Sequence, residues 1–163
     1  MKREPLIYLA SPYSHPDPAV VAARVAAAEE FTAALIAAGR LVFSPVVYTH
    51  GLLRGGIPLP TDWPFWSPLD LAMLARSDAI WIYAMEGVLE SRGVAAEALE
   101  AKRLGLASRV IRDPRIPHWS GPLRWAGEGD FFERLVALGL EAERAAAKPA
   151  ARTDWFFGKR GDR

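Results

Sequence analysis

Two carboxylates, Asp70 and Glu97, stand out because the pattern around each predicts a position beside a cleft. Glu97 lies four residues after Gly93, so both share one face of a predicted helix, and the glycine leaves open space beside the acid. Asp70 precedes Met73 and Leu74 on what should be an apolar face, where a carboxylate is costly to bury unless it is paired or used. Two acids at one cleft suit glycosidic-bond chemistry, in which one attacks the anomeric carbon while another group manages the leaving base. Structural salt bridges are the alternative.

The elements that must position these acids follow from the spacing of apolar residues. Short apolar strands at residues 6–10, 41–44, 79–84 and 109–111 alternate with helical patterns, which predicts an α/β fold with a doubly wound parallel sheet and helices on both faces. The helix that carries Glu97, from about Gly93 to Gly105, follows the third strand, so the acid stands at the carboxyl end of the sheet, where open α/β folds bind ligands. Residues 45–62 are rich in Pro and Gly and are predicted to form a long loop, after which Asp62 caps the next helix.

Length and composition favour one compact domain at residues 1–113, followed within residues 114–163 by an irregular segment, a helix at 130–147 and a tail. We expect this C-terminal part to pack on the same domain or on a neighbouring subunit. The net charge of +1 favours neither a nucleic acid polymer nor a membrane as the partner. No apolar run is long enough to span a bilayer and no signal-peptide core is found, so we expect a cytoplasmic protein. The absence of cysteine excludes disulfides, thiol nucleophiles and zinc-thiolate sites.

Three groups of residues together resemble one known superfamily. They are residues 7–11 (Ile-Tyr-Leu-Ala-Ser), residues 70–74 with Asp78 following, and residues 91–94 (Ser-Arg-Gly-Val) with Glu97. In this order and spacing they resemble the nucleoside 2-deoxyribosyltransferase superfamily, which includes the 2′-deoxynucleoside 5′-monophosphate N-glycosidases. The resemblance covers residues 6–111. The opening Ala-Ser-Pro-Tyr-Ser-His at 10–15, with residues 61–63 and 65–66, is similar to a branch whose function is largely unassigned.

This resemblance implies a flavodoxin-like (Rossmann-like) sheet of four to five strands. It implies a glutamate nucleophile at Glu97, an acid at Asp70 that handles the leaving base, and a tyrosine at Tyr8 that orients the glutamate. It also implies a homodimer or a larger homo-oligomer, and neither a metal nor an organic cofactor. Asp78 would lie at the start of a strand, away from the cleft, so we expect it to be structural.

Ser91 bears on the choice of substrate. Six residues before the nucleophile, the transferases that use free nucleosides carry an aspartate that binds the sugar 5′-hydroxyl, whereas the monophosphate hydrolases carry a serine that contacts phosphate. Ser91, Arg92 and the amides that begin the helix at Gly93 would attract a phosphate. We therefore expect an N-glycosidase that acts on a (deoxy)nucleoside 5′-monophosphate. The alternative is that Ser91 only caps the helix and Arg92 is solvated.

Departures from the superfamily pattern shape the remaining expectations. The transferases complete each site with an asparagine from a neighbouring subunit, and this chain contains none, which favours hydrolysis over base exchange. Without amide side chains, the base must be recognised by backbone groups, by Asp70 or a histidine, and by stacking on aromatic rings. The substrate-binding candidates besides Ser91, Arg92 and Gly93 are therefore Ser11, Tyr13, His50, Trp63 and Trp66. A surface position for the histidine and core positions for the two tryptophans are the alternatives.

The expected partner is a small-molecule nucleoside or nucleotide, and two other functions stay open. A nucleoside 2-deoxyribosyltransferase that acts on free nucleosides is the second hypothesis. The same fold also binds nucleotides without cleaving them, so a non-catalytic nucleotide sensor is the third hypothesis.

Overall fold

The computed structural model describes residues 3–112 and 128–147. Its elements in chain order are β1 (Leu6–Ala10), α1 (Pro18–Ala37), β2 (Leu41–Phe43), α2 (Pro45–Leu53), α3 (Trp63–Leu74), β3 (Ala79–Tyr83), α4 (Arg92–Arg103), β4 (Ala107–Ile111) and α5 (Glu128–Ala147). The four strands form one parallel sheet in the order β2-β1-β3-β4. The predicted flavodoxin-like, doubly wound α/β fold is thereby confirmed. The predictions for residues 114–127 and for the tail from residue 148 lie outside the described residues.

Helices cover both faces of the sheet, which explains why its central strands are apolar in successive positions. On one face, Leu9 and Tyr83 pack against α1, where the ring of Phe31 stacks on Tyr83 at 4.5 Å between centroids. On the other face, Ile80 and Ile82 join the larger core cluster with residues of α3, α4 and α5. The sheet is therefore held rigidly between two apolar layers, and its carboxyl edge is a fixed base for a site.

The predicted loop at residues 45–62 is wrong in its first half, because Pro45–Leu53 form helix α2. Ser44 caps this helix by accepting a hydrogen bond from the Val47 amide, and Pro45 fits the first turn. The sequence Asp17-Pro18 begins α1 in the same way. The Pro and Gly content of the segment favoured a loop, although Ser44-Pro45 is a capping residue followed by proline, as in Asp17-Pro18.

Asp62 occupies the capping position of α3, but its carboxylate makes no capping hydrogen bond. The prediction that this side chain caps the helix is therefore wrong, although the helix begins where it was expected. Asp78 has the expected structural role, since it accepts a hydrogen bond from the Leu6 amide at 2.7 Å and pairs with Arg3.

Helix α5 packs along α4 on the domain itself. Phe131 and Leu135 are fully buried in the core cluster that includes α4, and Arg103 forms a two-point ion pair with Glu143, with both N–O distances at 2.8 Å. No helix in the two described ranges combines the length and the apolar character needed to cross a membrane.

Candidate active site

A cavity of about 440 Å³ lies at the carboxyl edge of the sheet. Its walls come from the segments that follow β1, β2 and β3 and from the first turns of α3 and α4, which meet there because parallel strands end on one side. Its volume is in the range of small-molecule sites. The residues that line it are Ser11, Tyr13, Ser14, Pro45, Val46, Thr49, Thr61, Asp62, Trp63, Pro64, Trp66, Asp70, Glu90, Ser91, Arg92, Gly93, Val94 and Glu97.

Glu97 projects from α4 to the cavity wall and is held there by Tyr8. The Tyr8 hydroxyl donates a hydrogen bond to Oε1 of Glu97 at 2.7 Å, while Tyr8 is fully buried and Glu97 is 4% exposed. Burial raises the pKa of Glu97 to about 8; the hydrogen bond from Tyr8 opposes that rise, and the charge of Asp70 adds to it. The pKa of Tyr8 lies well above its ordinary value because the ring is buried and Glu97 is adjacent. Tyr8 stands behind the carboxylate and does not line the cavity.

Asp70 brings a second carboxylate to the same cavity from the buried face of α3. It is 5% exposed, and its Oδ1 has no hydrogen-bond partner among the described residues. Burial raises its pKa to about 6. Neither Asp70 nor Glu97 forms a salt bridge within the part of the chain that the structure describes. A buried acid without a partner is costly, so its burial favours a role toward a ligand.

Ser91, Arg92 and Gly93 begin α4 and line the cavity. The Ser91 hydroxyl accepts a hydrogen bond from the Val94 amide at 3.3 Å, so the capping role is present, and Arg92 is exposed. Open space does lie beside Glu97, as expected, but the space directly over Gly93 is occupied. A Cβ atom there would lie 3.3 Å from Cε3 of Trp63, because the indole packs over the first turn of α4, where no side chain intervenes. The open volume lies beside this contact.

The remaining predicted residues divide into those in the cavity wall and one behind it. Ser11, Tyr13, Trp63 and Trp66 line the cavity, and the buried Oγ of Ser11 has no hydrogen-bond partner in the described ranges. Trp66 is buried and donates its indole N–H to the carbonyl of Pro60 at 2.7 Å. His50 is not a lining residue; its Nδ1 lies 3.3 Å from the Tyr13 hydroxyl, so it supports the wall from α2.

Several lining residues were not predicted from the sequence. Asp62 was assigned to a cap, and Glu90 and Thr49 had no assigned role. Thr49 lies on α2, whose helix was missed, so its side-chain direction could not be inferred. Glu90 immediately precedes Ser91, and this neighbour is the one sequence feature that could have indicated a position in the cavity wall.

Arg24 connects two loops that both contribute residues to the cavity wall. Its guanidinium donates to the carbonyl of Ser14 at 2.7 Å and to that of Glu86 at 3.1 Å, and the side chain is buried. Gly87 adopts a φ of +82°, and a Cβ atom there would lie 2.0 Å from Nη2 of Arg24. The glycine therefore makes room for a buried cation that joins the loop after β1 to the loop after β3.

One family profile matches residues 5–112, and its description is a domain of unknown function, DUF1937. The chain belongs to the DUF1937 family. The match spans β1 to β4 and contains every residue that lines the cavity. No curated protein matches the chain. The DUF1937 description does not name the nucleoside 2-deoxyribosyltransferase superfamily, and it is compatible with a branch of unassigned function.

The chemistry available in the DUF1937 cavity is that of carboxylates, hydroxyls, aromatic rings and the Arg92 guanidinium. Among the described residues, no group of three or more His, Asp or Glu side chains has an arrangement that could hold a metal ion. A buried glutamate with an oriented oxygen can act as a nucleophile, and a nearby acid with a raised pKa can exchange a proton with a leaving group.

Proposed function

We propose that this DUF1937 domain is an N-glycosidase that hydrolyses the bond between base and sugar in a nucleoside 5′-monophosphate. The observation that carries the proposal is the buried carboxylate of Glu97, fixed by the Tyr8 hydroxyl at 2.7 Å on the wall of a cavity that Asp70 also lines. Most enzymes that hydrolyse a glycosidic bond use two carboxyl groups at one site. Tyr8 leaves the second oxygen of Glu97 available for attack.

The mechanism assigns one role to each group. Glu97 attacks the anomeric carbon and forms an ester to the sugar, while Asp70 gives a proton to the departing base. Water then attacks the same carbon and gives a proton to Asp70, the sugar phosphate is released and the carboxylate of Glu97 is restored. Tyr8 orients Glu97 and stabilises its ionised form through the hydrogen bond.

A 5′-phosphate is supported by the first turn of α4. Ser91 uses a lone pair to cap the helix, so its hydroxyl proton is available to a phosphate, and Arg92 is exposed beside it. The amides at the helix start add a favourable dipole.

A free nucleoside is the second candidate substrate, and the charge of the cavity favours it. Asp62 and Glu90 line the cavity in addition to the two buried acids, and together they would repel the two negative charges of a phosphate. Assays of both substrate classes are therefore required.

The test is to incubate the protein with a panel of nucleosides and their 5′-monophosphates and to follow free base by chromatography. Glu97→Gln should abolish base release while the circular dichroism spectrum is kept. Glu100→Gln is the matched control, because Glu100 lies on the same helix, beside Arg103, and does not line the cavity. Base release by Glu97→Gln at the wild-type rate would refute the assignment, and ligand binding without any base release would favour the sensor.

A further inference from the structure

The charges around the cavity are strongly unequal. Four carboxylates line it, whereas Arg92 is the one cationic side chain among the described lining residues. Arg24 lies behind the wall and attracts Glu90, but two of its nitrogens are bonded to main-chain carbonyls and it does not reach the cavity surface. A concave site with walls of one sign concentrates ligands of the opposite sign.

One of the two buried carboxylates in this acidic lining lacks a partner. Oδ1 of Asp70 is without a hydrogen bond in the described ranges, although the residue is 5% exposed and lines the cavity. The other two acids, Asp62 and Glu90, are exposed at the rim. A cation bound in the cavity would therefore meet the two buried carboxyl groups of Asp70 and Glu97 and the two exposed carboxylates of Asp62 and Glu90.

Aromatic rings complete the surroundings that a flat cation requires. Tyr13, Trp63 and Trp66 line the same cavity, and Trp63 is fixed against Gly93. Indole faces attract cations more strongly than other aromatic side chains do, and they also stack on planar rings. A neutral base would use only the stacking, whereas a cationic base would use the rings and the carboxylates together.

We infer that the base of the substrate carries a positive charge, as in a nucleoside whose base is a pyridinium or another quaternised ring. This inference rests on the function proposed above and specifies its substrate. The bond between the anomeric carbon and the ring nitrogen breaks, and its electron pair goes to that nitrogen, so the base leaves as a neutral molecule without receiving a proton. The Glu97 carboxylate forms the ester bond to the anomeric carbon. Water then replaces Glu97 on that carbon and one proton is released.

Asp70 has a different role with such a substrate. It serves as the counter-ion of the cationic base from its place in the cavity wall. No general acid is needed, because the positive charge already makes the base a good leaving group. The unequal charges, the unpartnered acid and the aromatic lining then have one common explanation.

The decisive test compares two ligands that differ in charge and have no glycosidic bond. Nicotinamide and 1-methylnicotinamide share a ring, but only the second is a cation, and isothermal titration calorimetry measures the affinity of the protein for each. We expect the cation to bind at least about tenfold more tightly. Asp70→Asn should reduce that ratio several-fold and leave nicotinamide binding unchanged. Glu141→Gln on α5, away from the cavity, is the control for removal of a carboxylate and should keep the ratio.

The outcomes separate this inference from the proposed function. Equal affinities for the two ligands, or no measurable binding of the cation, overturn the inference even where Glu97-dependent base release from neutral nucleosides is found. A preference for the cation that Asp70→Asn removes supports it. Base release from nicotinamide riboside or its 5′-monophosphate above the spontaneous rate, absent in Glu97→Gln, then supports both statements. Cation binding without base release from any nucleoside or nucleotide of the panel retains the cation site while refuting the glycosidase.

Discussion

Removal of the Tyr8 hydroxyl tests whether one buried hydrogen bond controls the ionisation of Glu97. The hydroxyl donates to Oε1 at 2.7 Å inside a fully buried contact, and Tyr8→Phe removes only this oxygen while it keeps the ring in the core. A donor of this kind stabilises the ionised carboxylate, so its loss raises the pKa of Glu97 further above the value of about 8.

The size of the effect follows from the strength of such bonds. A hydrogen bond to a charged group contributes about 1.5–3 kcal/mol, and ~1.4 kcal/mol corresponds to one pKa unit, so the pKa should rise by about one to two units. With a pKa of about 8, Glu97 is roughly one-tenth ionised at pH 7. The variant should therefore have a kcat/KM at pH 7 lower by about 10–100-fold. The deficit should shrink as pH rises, because both proteins then approach full ionisation of Glu97.

The assay is base release measured by chromatography at intervals between pH 6 and pH 10 for wild type and Tyr8→Phe. Tyr48→Phe serves as the matched control, because Tyr48 is half-exposed on α2 and does not line the cavity. The same deficit at every pH would mean that Tyr8 acts through structure alone. That result, or wild-type activity at pH 7, would refute the reasoning.

Three further substitutions test the two acids and the aromatic ring beside them. Burial raises the pKa of Glu97 from 4.5 to about 8, so the folded protein holds the protonated carboxyl group more firmly than the unfolded chain does. The resulting gain in the free energy of unfolding is fully present below pH 4.5 and is lost as pH rises through 8, by up to about 5 kcal/mol. Glu97→Gln should therefore unfold at higher urea than wild type at pH 9 but not at pH 5, and an equal difference at both contradicts this. With neutral nucleosides, kcat/KM should decline at alkaline pH as Asp70 loses its proton, and Asp70→Asn should remove that decline. A decline that persists in the variant excludes Asp70 as the acid. Gly93→Ala should push back the Trp63 ring, 3.3 Å away, and raise KM several-fold with stability changed by less than about 1 kcal/mol; an unchanged KM would show that the ring does not contact substrate.

The sheet was predictable from the sequence because its strands are apolar runs separated by helical patterns. Helix α2 was not, since Pro45 and Gly51 are typical of loops, and the helix is stabilised by a contact that no local pattern reveals. That contact is the packing of Val46 against Val25 and Ala28 of α1. Tertiary burial outweighs the weak local preference there.

The candidate site was predictable in its central residues and not in its rim. Helical spacing indicated that Glu97 faces a cleft, but its bond to Tyr8 joins residues 89 apart and depends on strand register and on how α4 lies over the sheet. The indole of Trp63 over Gly93 and the position of His50 behind Tyr13 are matters of packing. Asp62 and Glu90 are exposed charges next to turns, and such residues have no periodic pattern that gives their direction.

The order of the two pKa values constrains what the site can do. Glu97 has a pKa of about 8 and Asp70 one of about 6, so the form with Glu97 ionised and Asp70 protonated is the minor one of the two singly ionised forms. Cleavage of a neutral nucleoside needs this minor form, because its base must receive a proton. A cationic base needs none, and its charge lowers the pKa of both acids, which ionises Glu97 for attack and Asp70 as counter-ion. Binding of 1-methylnicotinamide near pH 7 should therefore release protons, seen as a binding enthalpy that varies with the ionisation enthalpy of the buffer. Nicotinamide is uncharged, so its binding enthalpy should not vary with the ionisation enthalpy of the buffer.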